Sequence, residues 1–199
     1  MASWRELGGP ARGIGTAIGR AVAAAGDRDR EVYEAEAAEL VALPPEYAGL
    51  VLGALVRMLL EEQHPDGLDS DDIQAVLARC YRGAAGWLPV DRLDAATLVA
   101  ALASALGIHE PGVTYREVMG PPAGTRAGDD WPGDDRAGGH VYGGGATETV
   151  PVRVPTAAEY AWHAPLLIAD LLTAGGRRLD RYLDVAFTEI ARAETMELP

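Results

Sequence analysis

Residues 45–60 read PEYAGLVLGALVRMLL, and this stretch decides the fold. Tyr47, Leu50, Val51, Ala54, Leu55, Met58 and Leu59 recur at intervals of three and four, the spacing of one face of an α-helix. Leu52, Val56 and Leu60 widen that stripe to nearly the whole circumference, and Pro45 suits a first helical position. A helix apolar on almost every side must be surrounded by other elements, so the reading places it at the centre of a helix-on-helix core.

Moving toward the C-terminus, the turn Pro65, Asp66, Gly67 ends this helix, and Asp69 or Ser70 caps the next. Asp71 and Asp72 then place negative charge at the positive end of its dipole, ahead of an apolar face of Ile73, Val76, Leu77, Cys80 and Tyr81. A further helix starts near Asp91 or Asp94, carries Leu98, Ala101, Leu102, Ala105 and Leu106, and stops at Gly107. Beyond it, residues 109–155 are too rich in Gly, Pro and Asp to continue a helix. Val150, Val152 and Val154 alternate there and, with Val141 and Tyr142, suggest one short β-hairpin whose Pro151 confines it to an edge.

Thr156 and Glu159 have the spacing of a capping box before a new apolar run. Pro165 falls inside that run and predicts a kink or break near His163, before Leu166 to Leu172 continue and Gly175 and Gly176 end the helix. Leu179, Tyr182, Leu183, Ala186, Phe187 and Ile190 mark a final amphipathic helix. Toward the N-terminus, Val32, Ala35, Glu36 and Glu39 lead to Leu40 and Leu43 in a helix stopped by Pro44 and Pro45. Before it, Ile14, Ile18, Ala21, Val22 and Ala25 keep helical spacing beside a small stripe of Gly15 and Gly19. Each interior glycine costs about 1 kcal/mol relative to alanine, so this helix needs a surface to lie on.

The fold expected is all-α: about six helices in an irregular bundle, with one long loop at 109–155. Residues 1–30 form a cationic N-terminal segment, five arginines against three carboxylates, and residues 31–199 a single helical domain. The chain of 199 residues is long enough to bury a core without disulfide or metal staples. Its one cysteine, Cys80, permits no intrachain disulfide and falls on an apolar face, which suits a buried small hydrophobe better than a nucleophile. No long uncharged apolar run and no signal-peptide core occur, so the expected location is cytoplasmic.

All 17 basic residues are arginine and asparagine is absent, a composition that reads as the codon bias of a GC-rich bacterial genome. Without lysine, Schiff-base chemistry and a Walker A phosphate loop are excluded. A net charge of −13 argues against a nucleic-acid binder, because affinity for phosphate backbones rests on clustered cations. Gly13, Gly15 and Gly19 superficially resemble a dinucleotide fingerprint, yet the spacing is one residue too long and no strand precedes it.

Metal and acid–base chemistry have candidates in two Glu/His pairs. Glu61 and His64 have the Glu-x-x-His spacing by which a helix of a di-iron bundle presents two ligands, and Glu159 and His163 are the nearest second pair. The bland alternatives are a histidine at helix-terminal carbonyls and one hydrogen-bonded beside a proline. Asp66, Asp69, Asp71 and Asp72 lack the alternation of a calcium loop, and Asp129, Asp130, Asp134 and Asp135 read as solvated turns. No cofactor site is read.

The residues best suited to recognition are Trp131, His140 and Tyr142 in the long loop, with Arg12 and Arg20 in the cationic segment. The expected function is therefore a non-enzymatic interaction or regulatory module engaging a protein partner. The alternatives are a metal-binding protein or enzyme gathering Glu61, His64, Glu159 and His163 into one pocket, and a peripheral membrane adaptor using residues 11–25. The pairs Gly49 and Gly53, or Gly15 and Gly19, also admit close helix approach within the chain or in a homo-oligomer.

Overall fold

The structure, a computed structural model, describes residues 3–107 and 154–196. Among them are seven α-helices: α1 (Gly9–Asp27), α2 (Arg30–Ala42), α3 (Pro45–Gln63), α4 (Ser70–Ala85), α5 (Ala95–Ala105), α6 (Ala157–Gly175) and α7 (Leu179–Met196). Short 3-10 turns at Trp4–Glu6 and Val90–Arg92 complete the described elements, and none of these is a strand. The hairpin read from Val141, Tyr142, Val150 and Val152 lies outside the described residues.

Local chemistry sets the helix starts. Asp69 accepts from the Asp72 backbone N–H at 2.8 Å while the Asp72 carboxylate accepts from the Asp69 N–H at 3.3 Å, a reciprocal cap of α4. Thr156 and Glu159 do the same for α6 at 3.2 and 2.8 Å. Asp94, not Asp91, caps α5 by accepting from Ala96 and Thr97. Gly107 follows α5 at φ +72° and Gly176 follows α6 at φ +61°, left-handed positions that glycine adopts without steric cost.

The centre of the bundle is α6, not α3. It packs against each of α1 to α5, and eleven of its residues are buried, from Tyr160 to Leu172. The Ala-Leu-Ile content of this helix lets neighbours close in on every side, and Pro165 sits within a continuous helix, without the break expected near His163. A proline cannot donate to the carbonyl one turn earlier, and side-chain hydrogen bonds to nearby α6 carbonyls gather at this place, one of them from α2. The Tyr33 hydroxyl donates to the Trp162 carbonyl, and the His163 ring meets the Glu159 carbonyl at 2.9 Å.

Two faces differ from the sequence reading. In α2 the buried residues are Tyr33, Ala37 and Leu40, whereas Val32 is 44% exposed. The Tyr33 face brings in only the edge-lying Glu36, whose carboxylate keeps Arg20 within 3.8 Å, while a turn toward the Val32 face would have buried Glu39 as well and incurred its desolvation cost. In α3, Val51, Leu52, Leu55, Val56, Leu59 and Leu60 are fully buried, but Leu50 is 58% exposed. The buried arc is centred one residue further round, and the Leu50 side remains open.

The N-terminal helix is integral to the core. Ile14 and Ile18 of α1 are wholly buried, and α1 packs on α2, α6 and α7. Gly15 makes this possible, since a Cβ there would stand 2.5 Å from the Trp4 ring and 3.1 Å from Phe187. Trp4, buried in its 3-10 turn, stacks on Phe187 of α7 with ring centroids 6.5 Å apart.

Candidate interaction surface

The four candidate ligands do not converge. Gln63 at the end of α3 donates to the Leu171 carbonyl at 2.7 Å, while Gly53 lies beside the Tyr160 hydroxyl, so α3 and α6 run parallel. Glu61 and His64 are therefore level with the far end of α6, roughly 9 Å or more along the axis from Glu159 and His163 at 1.5 Å per residue. Their partners are local. Glu61 is exposed near Arg57 at 3.9 Å, and the His64 Nδ1 lies 3.3 Å from the Asp72 carboxylate. Glu159 belongs to the α6 cap. Among the described residues no three His, Cys, Asp or Glu side chains cluster as metal ligands would.

His163 is a structural bridge. Its Nε2 accepts from the Asp94 backbone N–H at 3.3 Å, which leaves Nδ1 protonated to donate to the Glu159 carbonyl. Burial holds its pKa below the usual imidazole range, outweighing the opposing pull of the Glu159 carbonyl and the Asp94 carboxylate. Both ring nitrogens are used, so the side chain joins the start of α5 to α6 and presents no free base. Cys80 is buried, and desolvation pushes its thiol far above the usual range, as the sequence position on an apolar face suggested.

Trp131, His140 and Tyr142 lie outside the described residues, as do the acidic turns at Asp129 to Asp135. Arg12 and Arg20 lie within them. Both line a groove of about 630 Å³ between α1 and the start of α7, together with Arg5 and Arg178. Arg178 and Arg5 were not singled out by sequence. The available signal was the pair Arg177 and Arg178 directly after Gly175 and Gly176, where a chain reversal returns them to the bundle.

The four arginines are not equivalent. Arg5 is held by Asp180 at 2.7 Å and lies over the Trp4 ring at 4.7 Å, and Arg20 reaches Glu36 only at 3.8 Å. Arg12 and Arg178 are exposed, and among the described residues neither pairs with a carboxylate. Arg12 is in the first turn of α1, which has no acidic residue, and Arg178 immediately precedes α7. Cations at these positive helix ends are electrostatically unfavourable by some tenths of a kcal/mol each. Trp4 also lines the groove, and its buried indole N–H has no acceptor.

A second groove, of about 640 Å³, is apolar. Its floor is the open side of α3, from Glu46 to Arg57, and its walls come from α2, α5, α6 and α7. Leu50, Val41 and Val154 expose 58%, 38% and 75% of their surface there. The α1 stripe read as a membrane-facing surface is, by contrast, the side packed in the core, and no helix among the described residues is long and apolar enough to cross a membrane. Comparison with protein-family models, curated proteins and solved structures finds no match.

Proposed function

We propose that this chain is a non-enzymatic, cytoplasmic protein-interaction module whose arginine-lined groove receives an acidic segment of a protein partner. One observation carries the reading: on a chain of net charge −13, Arg12 and Arg178 stand exposed and unpaired among the described residues at one groove. An unpaired guanidinium needs no existing ion pair broken before it grips a carboxylate, and its planar fork takes both oxygens at once. A carboxylate there also relieves the placement of two cations at positive helix ends. The acidic remainder of the surface disfavours long polyanions such as nucleic acid, which would have to lie across it.

The test is fluorescence anisotropy of a labelled oligoglutamate peptide with the whole chain. Binding is expected at low salt, weakening as salt is raised, and falling about tenfold or more in an Arg12→Glu, Arg178→Glu double variant. Both side chains are exposed, so the fold is not at stake. Equal binding by the variant would remove the proposal.

A further inference from the structure

We infer that the apolar groove on α3 is the seat of a second copy of this chain, with the two α3 helices packed antiparallel about a two-fold axis between Val51 and Leu52. The order of residues along the open side carries this. Glu46, Gly49, Leu50, Gly53, Ala54 and Arg57 all line the groove and recur at intervals of three, one, three, one and three, so they share one helical face. Reversed on itself about that axis, the series sets Glu46 opposite Arg57, Gly49 opposite Ala54, and Leu50 opposite Gly53, each pairing occurring twice. An acid meets a base, and a protruding leucine meets a glycine.

This is the self-complementarity an isologous interface requires, in which the same patch serves both partners. Leu50 is the knob, more than half exposed. Gly53 is the hole, because the nearest atom to a Cβ there is the Tyr160 hydroxyl at 3.4 Å, and around Gly49 nothing lies within 4 Å. Helix axes can approach closely where such small residues face each other. The charges at the two ends are available. Glu46 is exposed and unpaired among the described residues, and Arg57 reaches Glu61 and Glu189 only at 3.9 and 4.0 Å.

Val41 and Val154, exposed in the same groove, add apolar surface beside the leucine knob. A foreign helix would have no reason to find its own charge order matched at both ends of α3, whereas a second copy supplies that order by symmetry. None of these residues belongs to the arginine groove, so the inference stands or falls apart from the acidic-partner reading.

Sedimentation equilibrium of the whole chain tests it. The wild type is expected to show a concentration-dependent monomer–dimer equilibrium, and Leu50→Glu to weaken it by at least about tenfold. Glu46→Arg and Arg57→Glu are each expected to weaken it several-fold, and the double reversal to restore it, because only an antiparallel copy pairs those two positions. All three side chains are on the surface, and unchanged circular dichroism and melting temperature would confirm intact folding of each variant. A chain monomeric at every concentration, its groove taken by another partner or by its own residues, would overturn the inference. So would a dimer that survives Leu50→Glu, or a double reversal no better than its single components.

Discussion

His163 shows how a residue typed as a catalytic or metal-binding candidate is decided by its two nearest neighbours. Its Nδ1–H donates to the Glu159 carbonyl, and its Nε2 accepts from the Asp94 backbone, so the neutral tautomer is the one the fold uses. Desolvation lowers the pKa of the folded imidazole, whereas in the unfolded chain it titrates near its ordinary value of about 6.5. Below that pH the unfolded chain binds a proton that the folded chain resists, so unfolding becomes easier. The contribution is fully present above about pH 6.5 and is lost as pH falls toward the folded value. Denaturant unfolding between about pH 7 and pH 5 is expected to show a stability decline that a His163→Asn variant lacks. At neutral pH that variant is expected to be less stable by about 1–3 kcal/mol, because the Asp94 N–H loses its acceptor. An identical pH slope in both proteins would mean that the imidazole is not the group that titrates.

At the scale of the element, α1 carries two glycines one turn apart with opposite meanings. A methyl group at Gly15 collides with the Trp4 ring at 2.5 and 2.7 Å, while one at Gly19 meets nothing within 4 Å. Alanine gains up to about 1 kcal/mol of helix propensity at either site, but overpacking at Gly15 costs about 1–3 kcal/mol. Gly15→Ala is therefore expected to lower the melting temperature and Gly19→Ala to raise it. Two shifts of the same sign would show that the Trp4 notch is not tight. The pair also marks what sequence could convey. The start at Thr156 was legible, and those at Asp69 and Asp94 were narrowed to two residues each, because a cap is satisfied within three residues of itself. Which face turns inward was not legible for α2, nor was the exposure of Leu50 on an α3 otherwise buried as read, because each depends on a neighbour distant in the chain. Tyr33 is drawn in by the Trp162 carbonyl and by the edges of Trp87 and Trp162, with ring centroids at 5.3 and 5.6 Å. The place of α6 at the centre was hidden for a related reason: Pro165 reads as an interruption until packing supplies a bond from α2. Arg12 and Arg20 could be singled out from the local charge excess, but their meeting with Arg178 spans nearly the whole chain.

On the scale of the whole molecule, charge works against folding and around one patch at once. A net charge of −13 on 199 residues sets carboxylates against each other in the compact state, and the unfolded chain relieves that repulsion by expanding. Opposing it are ion pairs that tie elements together, of which Arg79 to Asp170 at 2.9 Å, between α4 and α6, is the more buried on its acidic side. The Glu62 carboxylate, held between Tyr182 and Arg177, ties the end of α3 to the α6–α7 turn and sits below the usual carboxylate range, chiefly through the Tyr182 hydrogen bond. Pairs open to solvent contribute little to stability, whereas the excess of carboxylates acts over the entire surface. Screening therefore removes more repulsion than attraction. Adding sodium chloride up to physiological strength, where the Debye length is about 8 Å, is expected to raise the melting temperature. Over the same range the arginine groove should release an acidic peptide, because its attraction is screened by the same ions. The two responses have opposite signs and share one cause, so calorimetry and anisotropy on a single salt series test them together. A melting temperature that falls with salt would assign the stability of the bundle to its ion pairs, not to an aliphatic core that holds despite its charge.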